Sequence, residues 1–419
     1  MNSTSKIQHS KSDFNTISVI GLGYIGLPTA AVFASRKKTV IGVDVNQDAI
    51  DTINRGEIHI VEPDLDMVVR ATVTEGYLKA TLEPEPADAF VIAVPTPFKD
   101  DHVPDLAYIQ SACKAIAPVL EKGNLVVLES TSPVGATEQL SAWLAEERPD
   151  LSFPQQDGVN SDIRVAHCPE RVLPGHVLSE LVQNDRVIGG MSTKCSEMAV
   201  ALYKTFVKGE CIVTNARTAE MCKLTENSFR DVNIAFANEL SMICDSLQIN
   251  AWELIRLANR HPRVNILQPG PGVGGHCIAV DPWFIVSKTP EIARMIRTAR
   301  EVNDHKPQWV IDKITARAER FKDPIIGCLG LTFKANIDDL RESPALEIVK
   351  ILQEQNIGTI MACDVNVVDA QSPVPLSSLE DVLQKADIIV LLVDHDEFKT
   401  IDPELLKDKI IIDTRGCWR

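Results

Sequence analysis

The stretch TISVIGLGYIGLPTAAVFASRKKTVIGVD, residues 16–44, decides the fold of the first part of the chain. A short apolar run leads into Gly21, Gly23 and Gly26, a helical pattern follows, and a second apolar run ends at Asp44. Strand, GxGxxG turn, helix, strand and acid in this order form a Rossmann βαβ unit, in which the backbone comes close to a pyrophosphate at a helix N-terminus. We therefore predict a dinucleotide site here.

The acid at the end of the second strand indicates which dinucleotide is bound. Asp44 lies close to the roughly 20-residue spacing from the glycines at which a carboxylate accepts the ribose hydroxyls. It would repel the additional phosphate of NADP, so we predict NAD. Helix capping is an equally good interpretation of each threonine near this site. The further candidates for cofactor contacts are Tyr24 and Ile25 in the glycine turn, and Thr96, Thr131 and Thr137 after strand ends.

The domain organisation follows from where apolar runs alternate with helical patterns. The 419 residues exceed the roughly 250 to 300 that one core supports, so two or three domains are expected. Strand patterns from TISVIG to ECIVTN stop near Thr214, helical patterns such as Thr218–Gln248 and Pro290–Asn303 take over, and strand patterns return after Asp323. The two ends correspond, since TISVIG matches PIIGCLGL and VIGVD matches IMACD.

These patterns predict an α/β protein with two Rossmann-like, doubly wound domains on either side of a central all-helical domain. Only the first half carries glycines suited to a dinucleotide. The predicted parts are a disordered tail (1–15), an NAD-binding domain (16–213), a helical domain (214–306) and a C-terminal α/β domain (322–419).

Composition excludes several classes of function. A formal net charge of -16 argues against a nucleic-acid or anionic-membrane surface, because both need dense Lys/Arg patches. No apolar run approaches the ~18 residues of a membrane span, and the first fifteen residues lack a signal-peptide pattern, so we expect a cytoplasmic protein. A chain of this length in a reducing compartment has little use for disulfides, and the absence of CxxC pairs and of paired Cys/His spacing argues against a metal site.

Two polar constellations are candidates for chemistry. Glu220, Lys223, Asn227 and Arg230 recur at spacings of three and four, which places them on one helix face. A solvated surface is the usual interpretation of such a face, but Lys with Asn is a suitable pair for polarising a reacting oxygen and moving its proton.

The second constellation surrounds Cys277. In QPGPGVGGHCIAVDPW, residues 268–283, glycines and prolines dominate the loop before Cys277, so that backbone can approach a ligand closely. Asp281 follows four residues later. The residues alone leave two interpretations open, a reactive thiol and a structural cysteine.

Six motifs occur in order along essentially the whole chain after Phe14: GLGYIGLPTA, ESTSPVGAT, CPERVLPG, EMCKLTENSFRDVNIAFANEL, GPGVGGHCIAVDP and GLTFKANIDDLRESP. Together they resemble the UDP-glucose/GDP-mannose dehydrogenase family. The resemblance implies an NAD-dependent dimer that oxidises the C6 alcohol of a UDP-sugar to a carboxylate. It assigns Cys277 as the nucleophile, Lys223 and Asn227 as ligands of the developing oxyanion, Lys223 also as proton donor and acceptor, Asp281 as an aid to proton movement through water, and Glu170 as an activator of the hydrolytic water.

The implied chemistry explains why a thiol is needed. A first hydride transfer gives an aldehyde, and the Cys277 thiolate adds to it to form a thiohemiacetal, which can donate a second hydride. The product is a thioester that water hydrolyses. The captive aldehyde cannot escape between the two oxidations.

The resemblance also implies substrate contacts and a dimer. Arg263 would reach the neighbouring active site, and the helix over residues 232–249 would suit a dimer interface. Arg341 would lie on the cofactor side. The implied substrate contacts are Arg171, Val172, Lys223, Asn227, Arg230, His261, Arg263, Gly274, Phe333 and Lys334.

Two positions bear on the substrate and on hydrolysis. UDP-glucose members carry a second carboxylate where this chain has Pro174, so hydrolysis depends on Glu170 alone. GGHC in place of their GGSC, with His276, indicates an N-acetylhexosamine. N-Acetylmannosamine is the first expectation, with N-acetylglucosamine and glucose as alternatives, and the uronate product would serve bacterial surface polysaccharides of the enterobacterial common antigen type.

Two other classes of function compete with this one. A two-electron hydroxyacid dehydrogenase also combines GxGxxG with Lys and Asn on a helix, but it needs neither a second α/β half nor the Cys277 loop. A non-catalytic nucleotide-sugar sensor would share the folds, yet it has no use for Lys223, Asn227, Cys277 and Asp281 together.

Overall fold

The computed structural model describes residues 14–60, 62–99, 102–173, 175–275 and 277–418. These residues form two compact units, one ending at Thr225 and one beginning at Glu226, and each is described by itself. The tail predicted for residues 1–15 falls almost entirely outside the described residues, as do Pro174 and His276.

The first unit is built on an eight-stranded sheet in the order β3-β2-β1-β4-β5-β6-β7-β8. Neighbouring strands are parallel except for β6 and β7, which are antiparallel. The strand order reverses between β1 and β4, which is where doubly wound sheets bind ligands. The strands are β1 (Thr16–Ile20), β2 (Thr39–Val43), β3 (Leu78–Thr81), β4 (Ala89–Ile92), β5 (Leu125–Leu128), β6 (Arg164–His167), β7 (Arg186–Gly190) and β8 (Cys211–Asn215).

Alternating side chains of this sheet enter two separate cores. Ile17 and Val19 pack on one face, whereas Ile20 packs on the other with Phe90 and Ile92. Both faces are therefore covered by helices, as predicted for a doubly wound sheet. The helices are α1 (Gly26–Ser35), α2 (Gln47–Asn54), α3 (Leu65–Thr74), α4 (Ala107–Ile116), α5 (Ala136–Glu147), α6 (Pro154–Asp157), α7 (Val177–Gln183), α8 (Thr193–Tyr203) and the beginning of α9 (Ala216–Ser246).

The second unit combines helices with a four-stranded parallel sheet in the order β10-β9-β11-β12. Its strands again send alternate side chains to two cores, Ile326 and Cys328 to one and Leu329 to the other. The elements are the rest of α9, α10 (Ala251–Ala258), α11 (Asp281–Lys288), α12 (Arg294–Ala318), β9 (Ile325–Leu329), α13 (Pro344–Gln355), β10 (Thr359–Cys363), α14 (Leu379–Lys385), β11 (Ile388–Leu391), α15 (Asp396–Lys399) and β12 (Ile410–Asp413).

The observed elements differ from the prediction at two places. The helical pattern predicted to end at Asn303 continues as α12 to Ala318, with Pro307 inside it. Its second half is helical because Val310, Ile311 and Ile314 pack into the core of the second sheet.

The other difference is β3, for which no strand was predicted. This edge strand has only four residues, LKAT, and one of them, Lys79, is exposed.

The predicted correspondence of the two α/β halves extends to single hydrogen bonds. In the first half, Gly21 N donates to Val43 O and Leu22 N donates to the Asp44 carboxylate, both at 2.8 Å. In the second half, Gly330 N donates to Cys363 O at 2.8 Å and Leu331 N donates to the Asp364 carboxylate at 2.7 Å. Each half thus ties its first turn to the end of its second strand in the same way. Among the described residues, no helix has the length and hydropathy needed to cross a bilayer.

Candidate active site

The glycine turn after β1 requires glycine at two positions and leaves the third open. Gly21 has φ +92°, and a Cβ there would lie 2.6 Å from the carbonyl oxygen of Ala93. A Cβ at Gly26 would overlap the carbonyl oxygen of Gly21. Nothing lies within 4 Å of the Cβ position of Gly23, so the backbone at the second glycine is accessible to a ligand. This is the arrangement a pyrophosphate requires at the start of α1.

Asp44 is half-buried at the end of β2 and holds the turn in place. One carboxylate oxygen accepts from Leu22 N at 2.8 Å and the other from Asn46 N at 2.9 Å. A carboxylate has about four acceptor positions, so two remain for ribose hydroxyls. Tyr24 is exposed and Ile25 half-buried beside it in the turn.

The predicted threonines fall into different environments. Thr96 Oγ1 is buried and has no hydrogen-bond partner among the described residues, which suits a hydroxyl kept for a cofactor. Thr131 is half-buried. Thr137 is fully buried, and its hydroxyl donates to Glu220 at 2.6 Å. Because this hydroxyl donates and the N-cap of α5 is Gly135 without a side-chain cap, Thr137 does not cap the helix, and its role as a cofactor contact remains a prediction.

Glu220 is a buried residue of α9 whose carboxylate lies at the N-terminus of α5. Its carboxylate accepts from Gly135 N at 2.7 Å and from Thr137 N at 2.8 Å, and only 1% of the residue is exposed. Burial raises the pKa of Glu220, although these hydrogen bonds lower it. The polar face predicted on α9 thus begins with a structural carboxylate, and Lys223 follows half-buried three residues later.

Glu170 is buried just beyond the end of β6. One of its oxygens accepts from Val172 N at 2.6 Å. The other oxygen, Oε1, is buried without a hydrogen-bond partner among the described residues. A buried carboxylate oxygen that is left unsatisfied by protein is consistent with a group that binds water or substrate. Arg171, next to it, donates to the carbonyl of Asp185 at 3.3 Å.

A buried cluster of polar and charged side chains around Glu129 was not predicted. Glu129, at the end of β5, accepts from Arg186 at 3.4 Å and from Tyr203 and Thr29 at 3.2 Å each. Burial raises the pKa of Glu129 to about 7, an effect that Arg186 reduces and the charge of Glu170 increases. The signal in the sequence was an acid directly after the apolar run LVVL.

The loop before Cys277 packs against the protein itself. A Cβ at Gly274 would lie 2.5 Å from Glu342 O and 2.7 Å from Phe333 Cβ, and one at Gly272 would lie 2.8 Å from Pro344 Cβ. Gly275 has φ +83° and faces the Phe333 ring. The glycines predicted to approach a ligand are thus required first by the turn at residues 333–344.

Cys277, Asp281 and Asn227 come together in the second unit. The Cys277 carbonyl accepts from Val280 N at 3.0 Å and from Asp281 N at 2.8 Å, so this turn leads directly into α11. Asp281 is 2% exposed, and its carboxylate accepts from the Asn227 carboxamide at 2.5 Å. Two of the residues predicted from the α9 and Cys277 motifs, Asn227 and Asp281, therefore form a buried pair, and the half-buried Cys277 begins the turn that leads to Asp281.

The predicted substrate residues of this unit lie on its surface or in the loop. Exposed Arg230 lines a cavity of about 360 Å³ with Phe229, Asn233, Asn265 and Leu267, of which only Arg230 was predicted. The backbone of Arg263 donates to the His261 ring at 3.3 Å in an exposed turn, Lys334 is exposed, and the Arg341 guanidinium is held by Asp339.

The fold and the glycine turn define a dehydrogenase that binds NAD through a Rossmann domain. Residues 15–207 match the NAD binding domain of the UDP-glucose/GDP-mannose dehydrogenase family, residues 217–305 its central domain and residues 327–419 its UDP binding domain. The chain belongs to this family. The predicted fold, enzyme class and cofactor are thereby confirmed.

Similar proteins cover almost the full length. The chain is 69% identical, over 97% of both chains, to an NDP-N-acetyl-D-galactosaminuronic acid dehydrogenase of Ralstonia nicotianae. It is 65% identical to the UDP-N-acetyl-D-mannosamine dehydrogenase of Yersinia pestis, over 97% of this chain and 100% of that one. The solved UDP-D-ManNAc dehydrogenase of Pyrococcus horikoshii superposes with a TM-score of 0.88 at 41% identity, over 96% of each chain.

Proposed function

We propose that this enzyme oxidises UDP-N-acetyl-D-mannosamine at C6 to UDP-N-acetyl-D-mannosaminuronate, with the reduction of two NAD and the consumption of one water. The observation that carries the proposal is the placement of Cys277 directly before the buried Asn227–Asp281 pair. Relatives named UDP-N-acetyl-D-mannosamine dehydrogenase at 62% and 65% identity support the sugar.

NAD would be held by the glycine turn at Gly23 and by Asp44, and it would supply the hydride acceptor for the two oxidations at C6. Asn227 has two N–H donors and gives one to Asp281, so the second can be donated to the reacting oxygen of the substrate. Lys223, one helical turn before Asn227 on α9, takes the alcohol proton. The Cys277 thiolate forms the carbon–sulfur bond that retains the aldehyde, and this bond breaks when water attacks the thioester.

Glu170 takes the proton of the attacking water in this scheme. Its free Oε1 supports that role, because a buried carboxylate oxygen without a protein partner can accept a proton or a hydrogen bond. Asp281, held by Asn227, assists proton movement near the sulfur. The thiolate leaves when the thioester is hydrolysed, and the carboxylate product carries the oxygen of water.

We further propose that the enzyme is a cytoplasmic homodimer. Phe229, Phe236 and Ile243 follow one another at seven-residue spacing on α9 and are 69%, 56% and 48% exposed. An apolar stripe of this kind supports helix packing against a second copy. Arg263 lies in an exposed turn, consistent with reaching a partner's site. No disulfide joins any of the ten cysteines, all of which lie in the described residues, and this is consistent with a reducing compartment.

A second candidate substrate is UDP-N-acetyl-D-galactosamine. The relative at 69% identity is named for the galactosaminuronic acid. The two sugars differ in configuration at C2 and C4, whereas the C6 chemistry is the same. The proposed mechanism therefore applies to either sugar.

The experiment measures how many NADH are formed per sugar nucleotide when the sugar nucleotide is limiting. We expect two NADH per UDP-N-acetyl-D-mannosamine consumed, and a kcat/KM above those for the N-acetylgalactosamine, N-acetylglucosamine and glucose nucleotides. One NADH per sugar would indicate a two-electron dehydrogenase, and no absorbance change at the NADH band with any sugar would indicate a sensor. The Cys277→Ser variant is the control, since it should form no uronate.

A further inference from the structure

A chain of buried hydrogen bonds leads from an ion pair to the loop that carries Cys277. Arg300 donates to the Asp231 carboxylate at 2.6 Å, and Asn303 donates to the same oxygen at 2.8 Å. The side-chain Oδ1 of Asn303 accepts from the Asn238 side-chain NH₂ group at 2.9 Å. The side-chain Oδ1 of Asn238 in turn accepts from the backbone N–H of Gly270 at 2.9 Å.

The carboxylate at the start of this chain sets the orientation of both amides. Because Asp231 accepts only, Asn303 must direct its NH₂ group towards it and its oxygen towards Asn238. Asn238 must then direct its own oxygen towards Gly270. Asp231 and Asn238 are 0% exposed, Asn303 is 1% exposed and Arg300 is 2% exposed, so water cannot replace any member without a cost.

Gly270 begins the segment whose later glycines pack on Pro344 and Phe333. The segment ends at Cys277, whose carbonyl oxygen starts the turn into α11. The hydrogen bond with Asn238 therefore fixes the beginning of the loop, and the contacts with Pro344 and Phe333 fix the glycines that follow.

Asn238, which anchors Gly270, and Asn227, which pairs with Asp281, belong to the same helix. Asn227 and Asn238 both lie on α9, and eleven residues correspond to about three turns, so the two side chains share one face. One rigid element thus holds Asn227 against Asp281 and Asn238 against Gly270. The position of the thiol relative to Asn227 depends on both contacts.

We infer that Asn238 is a positioning residue for Cys277, acting through the Gly270 N–H and oriented by Asn303 and the Asp231–Arg300 pair. The inference rests on the proposed function of Cys277 as the group that captures the aldehyde. The first hydride transfer needs no sulfur, whereas the second requires the thiohemiacetal. Loss of the anchor consequently impairs the second oxidation more than the first.

The test compares Asn238→Ala with the full-length wild type. We expect kcat to fall at least tenfold with less than a threefold change in the KM for the UDP-sugar, since displacement of a reacting group by about 1 Å costs up to 10²-fold. NADH per sugar falls below two, and an aldehyde trap captures the difference. We also expect iodoacetamide to alkylate Cys277 in the native variant at a rate different from that in the wild type. Peptide mass spectrometry measures this rate.

Asn124→Ala is the matched control. Asn124 is also a buried asparagine, and its oxygen accepts from a backbone N–H, that of Glu121 at 2.7 Å, but it lies in the other unit. This variant should keep two NADH per sugar and the wild-type alkylation rate.

The possible results separate the inference from the function on which it rests. One NADH per sugar in the wild type overturns the proposed function. Two NADH in both the wild type and Asn238→Ala, with equal kcat and equal alkylation, overturns only the positioning role. If Asn238→Ala does not fold, hydrogen exchange in the wild type decides: slow exchange of the Gly270 amide supports the anchor, and exchange at the rate of an unprotected loop amide rejects it.

Discussion

The carboxamide of Asn227 donates a hydrogen bond of 2.5 Å to the carboxylate of Asp281. The two residues lie 54 positions apart, one on α9 and one in the first turn of α11. The backbone N–H of Asp281 also donates a hydrogen bond to the Cys277 carbonyl, so the contact between Asn227 and Asp281 links α9 to the loop that carries the thiol. The charge on Asp281 keeps the NH₂ group of Asn227 oriented for donation.

Asp281→Asn is expected to lower kcat by roughly 10²- to 10⁴-fold, the usual contribution of a group that assists proton transfer. The amide has the shape of the carboxylate, so the fold and the KM for the UDP-sugar should stay within a few fold of wild type. Steady-state kinetics at the NADH band measure both constants. A kcat within threefold of wild type would contradict a role for this carboxylate.

Acidification should destabilise the first unit through His167. This residue ends β6, is fully buried, and neither ring nitrogen has a hydrogen-bond partner among the described residues. Burial lowers its pKa to about 3 from 6.5. Between pH 6.5 and pH 3 the unfolded chain therefore binds the proton and the native state does not, so stability falls as pH falls, by up to about 1.4 kcal/mol per pH unit.

His167→Gln removes this titration. Urea denaturation at pH 7 and pH 5 should show a smaller loss of stability on acidification for the variant than for the wild type. Equal losses in the two proteins would show that His167 is protonated in the native state at pH 5.

Elements of the fold that depend on neighbouring residues could be predicted from the sequence, whereas elements that depend on contacts between distant residues could not. The parallel strands were predicted because each is a nearly continuous apolar run buried on both faces. The edge strand β3 was not, since LKAT has no such run and its pairing with β2 is a long-range contact. The end of α12 was missed for the same reason: Val310 and Ile314 are helical through packing on a sheet that comes later in the chain.

The candidate active site also has features that depend on neighbouring residues, which could be predicted, and contacts between distant residues, which could not. The glycine turn could be predicted because φ at Gly21 and the overlap at Gly26 are properties of adjacent backbone. The partners of Glu129 could not, since Arg186 and Tyr203 lie 57 and 74 residues away. Asn227 and Asp281 were each predicted from a motif, whereas their hydrogen bond joins residues 54 positions apart in the chain and could not be predicted.

Two glycines of the turn should respond differently to alanine. Gly23→Ala meets no atom within 4 Å, so the protein should fold normally while the KM for NAD rises at least tenfold, because the methyl group occupies space next to the pyrophosphate. Gly26→Ala overlaps the Gly21 carbonyl and should lower thermal stability. Kinetics against NAD and melting curves on both variants test the pair, and an unchanged KM for NAD in Gly23→Ala would place the pyrophosphate elsewhere.

The exposed stripe on α9 gives a prediction about assembly. Ile243 is 48% exposed and lies seven residues after Phe236, itself 56% exposed. If this stripe packs against a second copy, Ile243→Asp places two carboxylates at the interface by symmetry and leaves them without counterions. We expect a monomer by sedimentation, with kcat reduced because Arg263 no longer reaches the neighbouring site.

Ile292→Asp is the matched control for this variant, since Ile292 is 82% exposed in the same unit but lies outside the stripe. It should sediment and turn over as the wild type does. A monomer that retains full activity would separate the stripe from catalysis and would remove Arg263 from the neighbouring site. An Ile243→Asp protein that remains a dimer at micromolar concentration would move the interface away from α9, because a buried unpaired charge typically costs several kcal/mol in an assembly.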